Sequence, residues 1–114
     1  MQIEHRQVDG VTVALLSGRV DSSVADDVTA QLDRLVSAGA TRLVVNLKEV
    51  SYISSAGLRS IIVAAKLTRS LNGDMRLCEP NALVLKILDA SGLASLVKID
   101  THEAQSLEAL AGQR

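Results

Sequence analysis

Between Arg42 and Leu58 the chain reads RLVVNLKEVSYISSAGL, a strand-like segment that enters a helix start with no linker between them. Leu43, Val44 and Val45 are continuously apolar rather than alternating, the pattern of a central strand covered on both faces. Ser54 and Ser55 then stand at the mouth of the helix, beside backbone N–H groups that lack intrahelical acceptors and at the positive end of the helix dipole. A phosphate on either hydroxyl is accommodated there while adding about −1.5 to −2 charges to the surrounding surface.

The flanking segments set the fold class. Residues 2 to 8 and 11 to 17 read as two strands joined at Asp9-Gly10, a dipeptide suited to the positive backbone angles of a tight hairpin. From Asp21 the spacing becomes helical: Val24, Val28, Leu32 and Leu35 share a face with Val36 beside it. Asp21, Ser22 and Ser23 are candidate caps for this helix and Gly39 a candidate stop. The helix after the serine pair extends to Asn72-Gly73, with Arg59, Lys66 and Ser70 forming a narrow polar stripe on an otherwise largely apolar surface.

Met75 to Cys78 is a further short strand, and Pro80-Asn81 opens a third helix that carries Leu83, Val84, Ile87 and Leu88 and closes near Ser91-Gly92-Leu93. Val97 to Asp100 is the expected last strand, and Asp100 with Glu103 resembles a capping box for a final helix through Leu107 and Leu110. An initial hairpin followed by alternating strands and helices predicts an α/β fold with a mixed, mostly parallel sheet, about four helices and right-handed crossovers. Functional sites in such sheets tend to lie outside the carboxyl ends of strands, and Ser54 and Ser55 follow one closely.

Composition narrows the range of functions. At 114 residues and 47% hydrophobic, the chain suits one domain, 1–114, able to close a modest aliphatic core without disulfides or metal. Tyr52 is the sole aromatic residue, which removes the stacking platforms of RNA and single-stranded DNA modules. Twelve basic and thirteen acidic side chains leave a formal charge of −1, so no global field draws the chain to nucleic acid or anionic lipid. The expected partner is a protein or a small molecule.

The lone Cys78 and an amino terminus, MQIEHRQV, without an apolar signal core favour a reducing, cytoplasmic setting. No run approaches the roughly eighteen apolar residues needed to span a bilayer. Enzymatic function is not expected. His5 and His102 have no evident serine partner and no neighbour at metal-ligand spacing, and neither a GxSxG elbow nor a GxxxxGK[ST] loop is present. No metal or cofactor is expected either.

Two stretches together resemble a known family. Gly18-Arg19-Val20-Asp21, leading into a helix, and VVNLKEVSYISSAGL are similar to the STAS domain, specifically the stand-alone bacterial anti-sigma factor antagonists. The similarity covers nearly the whole chain, including the later Pro80 to Leu93 segment, which resembles the family's strand, helix and Gly-Leu ending. In that family the central motif reads as an apolar pair, Asp, Ser, Ser or Thr, Gly, Leu, and the first hydroxyl residue after Asp accepts phosphate from a partner kinase.

Laid on this chain, the resemblance matches Tyr52-Ile53 to the apolar pair, Ser55 to the phosphoacceptor and Gly57-Leu58 to the ending. Ser54 stands where Asp is usual and is the alternative acceptor; Ala56 replaces the second hydroxyl residue. Asp21 matches an Asp near the same surface and Asn46 the polar residue closing the central strand, so the implied partner-binding set is Asp21, Asn46, Ser54, Ser55, Ala56, Gly57, Leu58 and Arg59. The resemblance implies a partner-switching regulator that binds an anti-sigma factor serine kinase when unmodified and is released by phosphorylation, with a serine phosphatase completing the cycle. The alternatives are a non-switching STAS subunit of a transport ATPase and a small nucleotide-binding sensor.

Overall fold

The computed structural model describes residues 1–112, so the last two residues of the expected 1–114 domain lie outside it. The elements run β1 (Glu4–Val8), β2 (Val11–Val20), α1 (Ala25–Ser37), β3 (Arg42–Ile53), α2 (Ser55–Ser70), β4 (Asp74–Cys78), α3 (Ala82–Ser91), a 3-10 turn (Leu93–Ser95), β5 (Lys98–Asp100) and α4 (Glu103–Ala111). The five strands lie side by side in sequence order, with β1 antiparallel to β2 and every other pairing parallel. The hairpin turns through Asp9 and Gly10 at φ 51° and 80°, left-handed angles that glycine adopts without steric cost.

Side-chain alternation divides the core between the two faces of the sheet. Ala14, Leu16, Leu43, Val45, Leu47, Met75 and Leu77 point to one face, where α1 adds Val28, Leu32 and Val36, α2 adds Ile61, Ala64 and Ala65, and α3 adds Val84 and Leu88. The intervening residues Val11, Val13, Val44 and Cys78 point the other way and meet Leu110 of α4. The continuous Leu43-Val44-Val45 run is therefore buried on both sides, as its pattern predicts.

β4 and β5 each differ by one residue from the sequence expectation, starting at Asp74 and Lys98, and β1 and β2 differ by more. Pairing begins at Glu4 rather than residue 2, and Ile3 turns into the core with its N–H donating to Gln31 Oε1 at 3.0 Å. β2 continues beyond residue 17 to Val20 because β3 runs on to Ile53 and pairs with it, through register shifts around Leu15–Ser17 and Gly18–Arg19. Gly18, at φ 73°, lies in the second irregularity.

The helix ends also depart from expectation. No side chain caps α1, whose N-cap position is Val24; Asp21 instead folds the approach, accepting from the Ser23 N–H at 3.0 Å and the Ser23 hydroxyl at 2.6 Å. The extra length of β2 delivers Asp21 straight off the strand, so a turn separates it from the helix. The Asp100–Glu103 capping box does not form: His102 is the N-cap of α4, and its N–H donates to Gln105 Oε1 at 2.9 Å.

Those two carboxylates clamp α4 to the sheet. Asp100 accepts from Arg76 Nε and Nη2 at 2.8 and 3.0 Å and from the Ser106 hydroxyl at 2.5 Å, while Glu103 accepts from Arg6 Nη2 and from Asn46 Nδ2 at 2.9 Å. Of the apolar residues that α3 carries, Val84 and Leu88 point inward and Leu83 is 53% exposed.

α2, which carries the serine pair, is seated by main chain. The Ser54 N–H donates to the Val20 carbonyl at 2.9 Å. At Gly57 the helix backbone lies so close to β2 that a Cβ would collide with the Val20 carbonyl oxygen and stand 3.0 and 3.1 Å from Val20 Cγ1 and Ile53 Cγ2. Further along, the Thr29 hydroxyl of α1 donates to Ser60 Oγ at 2.7 Å, and that hydroxyl donates to the Ala25 carbonyl at 2.9 Å.

Two predictions follow from these contacts. Gly57→Ala forces α2 away from β2 and is expected to cost about 1–3 kcal/mol, as overpacking does, read as a lower urea midpoint at unchanged slope. The second concerns acid. Arg76 holds the Asp100 carboxyl below its ordinary value of 3.8 and Arg6 holds Glu103 below 4.5, in each case against the opposing effect of burial. The unfolded chain therefore takes up these protons first, so the stability the clamps supply is whole above about pH 5 and is lost as pH falls through the ordinary and then the folded values. In thermal melts, the gap between the native chain and Arg76→Gln should be widest at neutral pH and narrow progressively below about pH 4.

Candidate functional site

Ser54 is the N-cap of α2, with extended backbone at φ −85° and ψ 174°, and its Oγ accepts the Gly57 N–H at 3.2 Å. Its carbonyl accepts the Leu58 N–H at 2.9 Å, closing the first helical turn. Serine and aspartate are both strong caps, which explains how a hydroxyl serves where the family usually has a carboxylate. Ser55 is the first helical residue and is exposed, so its hydroxyl is open to a partner.

The rest of the turn divides by burial. Gly57 is buried against β2, Ala56 and Leu58 are half-buried with Leu58 packed against the main core, and Arg59 projects to solvent. No acidic residue lies in the first turn of α2, so nothing there offsets the positive end of its dipole.

Asp21 joins this surface through the main chain. Because Ser54 is bonded to the Val20 carbonyl, the residue after Val20 leaves the sheet beside the start of α2. The Asp21 carboxyl is held below its ordinary value by the hydrogen bonds from Ser23, with Arg19 at 3.6 Å adding to the effect, and so it remains anionic at neutral pH. The Arg19 guanidinium also stands over the Tyr52 ring, 4.5 Å from its centroid.

Arg19 and Tyr52 belong to the site's architecture although sequence reading gave neither a role. Their only signal was membership of the matching segments; what couples them is the parallel register that sets Arg19 opposite Tyr52.

Asn46 is not brought to this surface. It lies in the middle of β3 rather than closing the strand, is 5% exposed, and uses both ends of its amide: Nδ2 donates to Glu103 Oε1 at 2.9 Å and Oδ1 accepts the Lys48 N–H at 2.8 Å. The expectation failed because β3 continues past the apolar run to Ile53 along its pairing with β2.

Other reactive groups are placed away from the serine turn. Cys78 is buried, and burial, with Glu103, Glu79 and Asp100 adding, pushes its thiol up to about 12, so it stays protonated and inert as a nucleophile. Among the described residues, no group of three or more His, Cys, Asp or Glu is arranged to hold a metal ion, and no helix is long and apolar enough to cross a membrane. A cavity of about 390 Å³ lies between α3 and β5, lined by residues including Leu85, Asp89 and Ile99 and by none of the residues from Ser54 to Arg59.

Comparison with known proteins adds an independent line. The STAS domain family profile matches residues 2–106. BtrV of Bordetella bronchiseptica, assigned as an anti-sigma factor antagonist, is 36% identical over 111 residues, covering 97% of this chain and 92% of that protein. An anti-sigma F factor antagonist of Paenibacillus polymyxa is 32% identical over 111 residues, covering 96% and 95%.

Among solved structures, a protein of Thermotoga maritima assigned to the same role superposes with a TM-score of 0.89 at 23% identity, over 95% of this chain and 93% of that one. The antagonist SpoIIAA superposes in its unphosphorylated form with a TM-score of 0.73 at 18% identity, over 97% and 99% of the two chains. Its phosphorylated form gives 0.71 at 19%, over 95% and 98%. At these identities the structural likeness speaks for the fold. The sequence matches go further, and with the motif at Ser54–Leu58 they give the conclusion that the chain belongs to the STAS domain family, among the anti-sigma factor antagonists.

Proposed function

We propose that this protein is a non-enzymatic partner-switching regulator: unmodified, it binds an anti-sigma factor serine kinase through the Ser55 surface and thereby frees that factor's target. The binding face is Asp21 together with the turn from Ser54 to Arg59. The observation that carries this reading is the placement of Ser55, an exposed hydroxyl on a turn whose seat is main chain and whose cap is a neighbouring residue. The names of the two sequence relatives support the assignment of partner, and the existence of SpoIIAA in unphosphorylated and phosphorylated forms supports the choice of chemistry.

The chemistry requires an ATP-dependent kinase, which transfers a phosphoryl group to Ser55 Oγ as the hydroxyl proton leaves and ADP is released. A serine phosphatase restores the hydroxyl by hydrolysis. Phosphorylation reverses binding for a local reason: a dianion in the interface must be stripped of water and meets any like charge on the partner, while the fold tolerates it at a helix amino terminus. Asn46, buried and committed to Glu103, has no part in this face.

Three variants test the assignment. Ser55→Asp is expected to reduce binding to the cognate kinase at least tenfold with its circular dichroism unchanged, and Ser55→Ala to bind normally but resist release by kinase and ATP. Normal affinity in a folded Ser55→Asp protein would count against the switch. Ser54→Ala removes the cap and is expected to cost about 0.5–2 kcal/mol of stability while leaving phosphorylation at Ser55 intact. Mapping the phosphate by mass spectrometry distinguishes the two serines, and a phosphate confined to Ser54 would transfer the role to it.

A further inference from the structure

We propose that Arg59 is the internal counter-ion of a phosphate on Ser55, so that modification adds a dianion to this face and in the same event withdraws a cation from it. The inference rests on the partner-switching reading above. Ser55 and Arg59 are both exposed residues of α2 at positions i and i+4, where side chains stand one above the other on the same side of a helix. The order is the favourable one, with the anionic group amino-terminal to the cation.

The surroundings leave Arg59 disposed toward that partner. Its other helical neighbours three and four positions away are Ala56, Ile62 and Val63, all uncharged, so α2 offers the guanidinium an adjacent anion only once Ser55 is phosphorylated. The cation on the neighbouring strand, Arg19, is already engaged with Asp21 and with the Tyr52 ring.

Ser54 acts in the same direction. A carboxylate at this cap would stand next to the phosphate and repel it, whereas the Ser54 hydroxyl accepts the Gly57 N–H without carrying charge. The planar fork of a guanidinium matches the oxygens of a phosphate, and such charge-assisted bonds are among the stronger ones a surface can make. In the unmodified protein Arg59 projects outward and suits an acidic patch on the partner; captured by the phosphate, it no longer does.

The test needs neither the kinase nor the partner. Phosphoserine installed at position 55 during synthesis gives the intact modified protein, and 31P NMR reads the second ionisation of its phosphate. A cation favours the dianion, so Arg59→Gln is expected to raise that pKa by roughly 0.15–0.4 unit, with Arg59→Lys recovering part of the difference and Lys66→Gln changing nothing. The helix terminus acts equally on every variant, and circular dichroism verifies that each is folded. A phosphate pKa that is the same with and without Arg59 overturns the proposal. Partner release is judged separately: loss of kinase affinity on phosphorylation without an Arg59-dependent shift discards the counter-ion and keeps the switch, and a shift without loss of affinity does the reverse.

Discussion

The carbonyl oxygen of Val20 is the point on which the placement of the serine turn depends. It accepts the Ser54 N–H at 2.9 Å and faces Gly57, the position where α2 comes down onto β2. β4 pairs only with the segment of β3 from Arg42 to Asn46, so β2 is the one strand paired with the remainder of β3, whose Val50 carbonyl accepts from Asn81 Nδ2 at 3.1 Å. The backbone bond and the missing side chain at Gly57 close that part of the sheet against the helix. Ser55 is thereby held by main chain, and chemistry at its hydroxyl leaves the support untouched.

The cap beside it separates two properties that an aspartate would combine. Capping needs an oxygen that accepts the Gly57 N–H, which the Ser54 hydroxyl supplies. Charge is a separate matter, and with a neutral cap and no acidic residue in the first turn, the local field at Ser55 is set by the helix dipole, by Arg59 and by the Asp21–Arg19 pair. The same turn therefore suits a phosphate electrostatically while retaining the structural role of the usual residue.

The opposite face of the sheet is built on another principle. α4 covers a small apolar cluster of Val11, Val13, Val44 and Cys78 and is fastened at its amino end by half-buried carboxylates on Arg76, Arg6 and Asn46, with Glu79 accepting the Glu103 N–H at 2.9 Å. Removing one member of such a pair strands the other in a partly desolvated position, which makes the network a structural commitment. Asn46, which the resemblance assigned to the partner-binding set, is absorbed here. The serine turn and the α4 clamp share β3 but no side chain.

Much of the geometry of the serine turn and its supporting elements was legible in the sequence because it is local. The hairpin at Asp9-Gly10, the doubly buried run at Leu43–Val45, the strand-to-helix passage at Ser54 and the Asn81 cap, which accepts the Val84 N–H at 2.8 Å, all depend on residues a few positions apart. The family motif is equally local, which is why Ser55 could be singled out. Asn46 as a strand end and Asp21, Asp100 and Glu103 as helix caps were misplaced for the converse reason. Each has local chemistry that suits a cap or a strand end, and each was claimed by something the sequence does not display: the length of the β2–β3 pairing for Asp21 and Asn46, and arginines far away in the chain for Asp100 and Glu103. Periodicity thus determined the order and type of the elements, and capping chemistry the starts of α2 and α3. Only the tertiary structure decided which polar side chains stay exposed beside the serine turn and which hold a helix to the sheet, because strand register and long-range ion pairing act between residues that sequence keeps apart.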